Sequence, residues 1–427
     1  LFAFYLALTR DIAPIDGVAL AKALAGSSIM ALAVYAFQAL WFDLMLLPAY
    51  VLLGVAVYAF CVRLLRALRP EDVVLLSDPY LAGTHLNDIM LVRPVFHSGE
   101  LVGLSANKAH HTDVGGAVAG SISATARSLE EEGVVLPPLK LLRRGELDRS
   151  VLDRLLGAVR DPRATAGDLR AQIAAAALGA RYLEELAAEH GVARLRAVFE
   201  EILAYGRRRM ERAVEGLPEG RFRGEDCLED VPEEGRLAWI RVSLRREGKT
   251  VLVDFSGTDE QVAMPLNAVF GVTLSAVYFA LKATLDPDGP MNEGALQPIR
   301  VTAPRGCLVS PLPPAPVSGG NLETSQRIVD VLLGAFGEAG FEVPAASCGT
   351  MANIAVGGGD FAHYETIGGG AGASRQKEGT SAVHCHMTNT LNTPVEALER
   401  RFPLEVVCYR VRRGSGGVGL HLSLIHI

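Results

Sequence analysis

The spacing of apolar positions changes several times along this chain. Residues 24–42 (LAGSSIMALAVYAFQALWF) and 44–62 (LMLLPAYVLLGVAVYAFCV) are nearly uncharged, with Asp43 alone between them. Each run is close to the ~20 residues that cross a bilayer as a helix. Arg63, Arg66 and Arg69 follow, as a cytoplasmic flank would. The pattern predicts a hydrophobic helical hairpin, either crossing a membrane or buried in a core. Beyond it, VVLL, IMLVRPVF and LVGLSA within residues 73–105 are β-type runs divided by the turn signals SDPY and HSGE. Residues 106–125 are small and polar, which predicts irregular backbone. Residues 126–215 are expected to be mainly helical: over 168–217 apolar residues recur at three and four, the period of a helix, and Leu183, Leu186, Val192, Leu195, Val198, Ile202 and Leu203 are expected to face a core. The Arg and Glu residues between them then form a solvated face.

At Leu237 the period becomes two. Ile240, Val242 and Leu244 alternate with Arg241, Ser243 and Arg245, and Val251, Val253 and Phe255 return after Glu247-Gly248-Lys249. That is a hairpin. A helix is expected over 268–285, a strand at IRVTAP, and a second helix in NLETSQRIVDVLLGAFGEAG, with Asn321 as its cap and Gly340 near its end. The resulting fold class is α+β: β-rich segments, a helical insertion and long glycine-rich loops, preceded by the hydrophobic helical hairpin.

Composition narrows the chemistry. The 427 residues carry a net charge of −7, which excludes a basic nucleic-acid footprint. Six widely spaced cysteines, Cys61, Cys227, Cys307, Cys348, Cys385 and Cys408, contain no CxxC pair, so neither a disulfide framework nor a zinc ribbon is expected and a reducing, cytoplasmic setting is. No GxxxxGK[ST] occurs, so no Walker-type ATP site is expected.

The ten histidines are grouped. His85 and Asp88 lie in GTHLND, and His110 and His111 in ANKAHHTD. His363, His384 and His386 come far downstream, the last two spaced as on a strand so that both could face one side. His85 and Asp88, three apart, can point at one ion, with His110 as a third ligand from the next loop. Two histidines and a carboxylate leave positions open for water and substrate, which suits Mn, Fe or Zn in a catalytic role. His111 and Asp113 are natural partners that fix a ligand's tautomer or orient a water. Asn321 and Glu323 crowd a helix start that favours anions. Gly368, Gly369 and Gly370, in YETIGGGAGAS, could bring backbone N–H groups to a developing negative charge. In each case the plainer reading is structural: satisfied loop histidines, ordinary capping, an ordinary glycine turn.

The segments DPYLAGTHLNDIMLVRPVF, ANKAHHTDVGG, GVVLPPLKLLRRGEL, VDFSGTDEQVAMPLNAV, SGGNLETSQRIVDVLLGA, YETIGGGAGAS and HMTNTLNTPVEALE succeed one another in an order that resembles the hydantoinase B/oxoprolinase family. The family includes the B-type components of ATP-dependent hydantoinases, the C-terminal half of 5-oxoprolinases and the large subunit of acetone-type carboxylases. The resemblance implies a metal-dependent subunit that completes hydrolysis of a cyclic amide. A hydantoinase A-type partner with an actin-like ATPase fold would activate the substrate, so that ATP enters only through the partner. It places the metal on His85, Asp88 and His110. An acetone-type carboxylase is the alternative within the family. A membrane-anchored protein carrying the soluble part as passenger is the alternative outside it. The likeness covers about Val73 to Gly419, so residues 73–421 are read as the family domain, 1–72 as a foreign or artefactual hairpin and 422–427 as an adaptor-derived tail. Within the domain, Ala119 stands where relatives usually have proline, and Cys385 where threonine is common.

Overall fold

The computed structural model describes residues 68–411, apart from 83, 232–234 and 359–360. The apolar runs at 24–62 and the tail at 422–427 lie outside the described residues. Among those described, no helix is long and apolar enough to cross a membrane. The chain divides into two units, Leu1–Pro70 and Glu71–Ile427.

The second unit is a mixed α+β structure built on two sheets. Strands β1 (Val73–Leu76), β2 (Asp88–His97), β3 (Glu100–His110), β4 (Leu139–Arg143) and β5 (Glu146–Leu147) form an antiparallel sheet in the order β3-β2-β1-β4-β5. Short helices α1 (Pro79–Ala82) and α2 (Leu129–Glu132) punctuate its loops. After α3 (Arg149–Leu156) come two long helices, α4 (Pro162–His190) and α5 (Val192–Glu215), separated by Gly191. Asp161 caps α4 by accepting from Ala164 N, with Pro162 in the first turn, and this fixes where the helix begins. α4 packs on β2 and β3.

The second sheet has the order β6-β7-β8-β9, from β6 (Arg221–Val231), β7 (Arg236–Glu247), β8 (Thr250–Asp254) and β9 (Ile299–Thr302). The two-residue turn Gly248-Lys249 joins β7 to β8, with Glu247 opposite Thr250. The next connection carries α6 (Phe270–Leu285) and α7 (Glu293–Leu296), and β9 returns parallel to β8. α8 (Thr324–Glu338) packs on β6 and β7, and Gly340, at φ 88°, follows its end as a left-handed terminator. Short hairpins β10 (Asn353–Gly357) with β11 (Ala362–Thr366), and β12 (Gly370–Ala371) with β13 (Thr380–Ser381), precede α9 (Val395–Arg401).

One continuous apolar core joins both sheets, from Leu75 and Leu91 through Met210 and Phe255 to Phe336. Each such side chain, fully buried, contributes about 1.5–3 kcal/mol.

Four expectations change. Residues 106–110, expected to be irregular, complete β3. Residues 126–148 are not helical throughout, because β4 and β5 lie there. Of the residues expected to face a core from α4 and α5, Leu195 is buried and Leu183 and Val192 pack beside it, whereas Leu186, Val198 and Ile202 are exposed. The helical period is real, but α5 has fewer neighbours than its apolar stripe could cover. Asn321 is not the cap of α8: it ends a 3-10 turn (Gly319–Asn321), and α8 starts at Thr324 with no side-chain cap.

Candidate metal centre

The pairing of β2 with β3 sets Asp88 directly opposite His110, so the two enter one site by register. His110 is therefore the last residue of a strand, not a loop residue. His85 belongs to the turn that leads into β2, where Asp88 N donates to His85 O at 3.1 Å. Fully buried Asn87 locks this turn: its Nδ2 donates to His111 O at 2.9 Å and Gly120 O at 3.1 Å, and its backbone carbonyl accepts from His111 N at 2.8 Å.

The result is a compact donor set. His85 Nδ1 lies 3.1 Å from Asp88 Oδ2, and His110 Nδ1 lies 3.3 Å from Asp88 Oδ1. One ligand atom from each of the three residues falls within 4.8 Å of the others, the one such group of His, Cys, Asp and Glu among the described residues. Two donors each about 2.1 Å from a shared ion, at 90–109°, lie about 3.0–3.4 Å apart, and each histidine stands at such a separation from one Asp88 oxygen. The donor set, two imidazoles and a carboxylate, fits Zn, Fe or Mn. The other ring nitrogen of His85, Nε2, is buried without a hydrogen-bond partner.

The electrostatics favour a cation here. Burial opposes ionisation of Asp88, but the two imidazoles outweigh it and hold its pKa well below the usual carboxylate range. About a third of the His110 side chain reaches solvent (35%), and packing of the remainder lowers its pKa, which keeps the ring neutral with a lone pair to donate. The His110 ring lies between His85 (centroids 5.0 Å apart) and Tyr364 (5.3 Å).

The surrounding residues hold this set in place. His111 Nε2 meets Gln172 Oε1 at 2.9 Å, and Gln172 Nε2 donates to Ile89 O and Asn107 Oδ1, which ties α4 to both strands. Asp113 is buried, and its oxygens accept from Gly115 N, Gly120 N, Arg160 N and the Arg160 guanidinium. Its acceptor capacity is committed to the 113–120 loop and Arg160. Asn321 Nδ2 comes within 3.4 Å of His85 Nδ1. Buried Glu132 brings that segment up to the site: its carboxylate accepts from Val317 N at 2.9 Å and Ser318 N at 2.9 Å, and burial raises its pKa. Gly320 is packed so closely on the Asn267 carbonyl that a Cβ would collide with it. Glu323 turns away from solvent, with Oε1 accepting from Thr350 Oγ1 at 2.8 Å, and burial raises its pKa. Gly368, Gly369 and Gly370 come after β11, the strand that carries Tyr364; Gly369 O accepts from Ala382 N.

The downstream histidines do not join the triad. His363 pairs with Glu365 at 3.4 Å, His384 with Thr390 at 3.2 Å and His386 with Asp330 at 3.0 Å. His384 and His386 share no face, since the backbone there turns and His386 has φ 55°. Asp254, in the polar turn after β8, accepts from Ser256 N and Oγ as an ordinary Asx-turn. Asn87, Glu132, Gln172 and Tyr364 were not anticipated. Only the position of Asn87 within HLND hinted at a role; the others come from segments far away in sequence.

Comparison with known proteins identifies the family. The family model described as hydantoinase B/oxoprolinase matches residues 49–422. An uncharacterized protein of Methanocaldococcus jannaschii, MJ0963, is 42% identical over 354 residues, covering 82% of this chain and 62% of that protein. The 5-oxoprolinase of Dictyostelium discoideum is 35% identical over 355 residues, covering 82% of this chain and 27% of that protein. A Pseudomonas sp. (strain NS671) protein, provisionally named as the B component of a D-/L-hydantoinase, is 31% identical over 370 residues, 82% of this chain and 61% of its own. The chain thus spans under two thirds of the length of these relatives. Among solved structures, the ATP-dependent caprolactamase of Pseudomonas jessenii matches with a TM-score of 0.77 and 28% identity, over 86% of this chain and 65% of that one. Acetone carboxylase shares the fold, with a TM-score of 0.73 at 21% identity. The chain belongs to the hydantoinase B/oxoprolinase family.

Proposed function

We propose that this chain is the metal-holding subunit of an ATP-dependent cyclic amide hydrolase, acting on a hydantoin, 5-oxoproline or a related lactam that a partner ATPase subunit has activated. The convergence of His85, Asp88 and His110 on one point carries this reading. The relatives named as a 5-oxoprolinase, a hydantoinase B component and an ATP-dependent caprolactamase support the substrate class. The partner of hydantoinase A type, with its actin-like ATPase fold, would supply ATP chemistry for which this chain has no Walker motif.

His85, Asp88 and His110 would hold a divalent ion, Mn, Fe or Zn. Such an ion supplies Lewis acidity and brings the pKa of bound water down to about 7. The protein's own residues do the rest. Asn87 fixes the backbone of the turn that carries His85, and Gln172 holds β2 and β3 through Ile89 O, Asn107 and the neighbouring His111 ring. Tyr364 shields one side of His110 from water, and Asn321 reaches His85 from the opposite segment. Backbone N–H groups of Gly368–Gly370 would stabilise negative charge developing on the opened ring. His111 and Asp113 serve as positioning residues, the first through Gln172, the second by holding the 113–120 loop whose Gly120 carbonyl Asn87 grips.

The test is reconstitution with the partner ATPase and ATP, offering 5-oxoproline, hydantoin, caprolactam and labelled bicarbonate with a ketone. The expected result is ATP-dependent ring opening that His110→Ala removes. Ring opening by the ATPase alone, or unchanged turnover in His110→Ala, would reject the proposal. Label fixed from bicarbonate would assign the chain to the carboxylase branch instead.

A further inference from the structure

Two half-buried thiols lie outside the metal centre and have no part in the function proposed above. Cys348 sits in the loop after α8, and Cys385 in the loop after β13. One helix holds both loops. Asp330 of α8 accepts from Ser347 N at 3.1 Å and Ser347 Oγ at 2.8 Å, and its Oδ1 also meets His386 Nε2 at 3.0 Å. One turn earlier, Gln326 binds the second loop at both ends of its amide: Nε2 donates to Cys385 O at 3.4 Å, and Oε1 accepts from Met387 N at 3.0 Å. Arg327, between them, donates to Gly349 O at 3.2 Å. The residues flanking each cysteine are thus clamped to successive positions of a rigid element.

The thiols meet as a consequence. The two side chains lie close enough for each thiol to shift the other's pKa. Both also gather on the glycine loop: Cys348 N and Cys385 Sγ each approach Gly370 O at 3.4 Å. Gly369 is bare on the side facing Cys348, where a Cβ would collide with the Cys348 sulfur. The backbone of the glycine loop therefore rests directly on the thiol pair. No group of three metal-ligating side chains forms here among the described residues, which sets this pair apart from a second metal site.

We propose that Cys348 and Cys385 are a modification site: they form a reversible disulfide on exposure to a peroxide, and the disulfide alters the loop bearing Gly368–Gly370. The pair is asymmetric. The proximity of the two thiols lowers the Cys348 pKa and raises that of Cys385, so Cys348 is the one that ionises first. The Cys348 thiolate attacks one peroxide oxygen, the O–O bond breaks, and a sulfenic acid and one water result once the leaving hydroxide takes a proton. The Cys385 sulfur then attacks the sulfenic sulfur; the S–O bond breaks, the S–S bond forms and a second water leaves with the Cys385 proton. In sum, two thiols and one hydrogen peroxide give one disulfide and two waters.

The effect on turnover rests on the proposal that Gly368–Gly370 border the substrate site, so the experiment separates the two claims. The full chain, reduced and then treated with stoichiometric hydrogen peroxide, is followed by intact mass and by non-reducing peptide mapping. The expected outcome is a loss of two mass units and a single linked peptide pair, Cys348 with Cys385, both reversed by dithiothreitol. C385S should instead accumulate a sulfenic acid at position 348, trapped by dimedone. Peroxide that leaves both thiols alkylatable, or links either one to Cys61, Cys227, Cys307 or Cys408, would overturn the proposal. In the enzyme reconstituted with its ATPase partner, disulfide formation should depress turnover at least tenfold, with recovery on reduction in the wild type. A disulfide that forms and leaves turnover unchanged would uphold the thiol pair and remove the glycine loop from the substrate site.

Discussion

Asn87 offers a sharp test of how the site is held. It is completely buried, and its side-chain amide donates to two carbonyls, His111 O and Gly120 O, at 2.9 and 3.1 Å. Asn87→Ala deletes both donors and leaves the carbonyls without them in a closed environment. A buried polar group stripped of its partner costs about 1–3 kcal/mol. Two such groups give an expected loss of about 3 kcal/mol, a large share of the ~5–15 kcal/mol that typically separates folded from unfolded chains. The damage is also directional. Asn87 joins the turn carrying His85 to the end of the strand carrying His110, so the donor set should loosen. Loss of a group that orients metal ligands typically weakens binding about 10–100-fold. Urea unfolding of metal-free protein gives the first quantity, and titration with Zn(II) against a competing chelator gives the second. A stability change under about 0.5 kcal/mol, the range of an ordinary surface substitution, together with unaltered zinc affinity would refute the reasoning.

Two further outcomes arise from the same packing. In Gly320→Ala the new methyl meets the Asn267 carbonyl and Ala268 nitrogen, backbone atoms that cannot swing aside, and overpacking of this kind costs about 1–3 kcal/mol; thermal melts should show the loss, and Asn321 should shift away from His85. Acidification should destabilise the metal-free protein in two steps. The His110 pKa lies below its ordinary 6.5 in the folded state, so the unfolded chain binds the extra proton first and stability falls as pH drops below 6.5. The Asp88 pKa lies below its ordinary 3.8, so a second loss begins as pH falls through that value. His110→Gln should flatten the upper step in a melting-temperature profile and leave the lower one in place; an unchanged profile would contradict the assignment.

The parts of the fold legible in sequence were those governed by local rules. The alternation at 240–255 gave the β7–β8 hairpin with its Gly248-Lys249 turn, and the apolar stretch at 268–285 gave α6 within two residues. Non-local pairing was not legible. β4 borders β1 across some sixty residues, and nothing in PPLKLLRR separates a strand from a helical turn until that neighbour is known. The exposed Leu186, Val198 and Ile202 mark the converse limit: periodicity reports which face a helix could bury, not whether anything covers it. At the site, His85, Asp88 and His110 were legible because their residue types are unusual together. Glu132 was hidden inside an acidic run that reads as solvated surface, yet its carboxylate is buried against two backbone amides of a segment 185 residues away. Asn321 was expected to cap a helix; it faces His85 because Gly320 lets the chain approach Asn267 before α8 begins.

The most direct measurement is the metal content of the purified full chain and of Asp88→Asn, by elemental analysis after equilibration with Mn(II), Fe(II) or Zn(II) and desalting. The asparagine keeps the shape of the side chain and removes the charge that both imidazoles face. The account predicts about one tightly held divalent ion per wild-type chain and a loss of most of it in the variant, with the fold retained by circular dichroism. A variant that keeps the full complement of metal, or a wild-type chain that takes up none of the three, would contradict it.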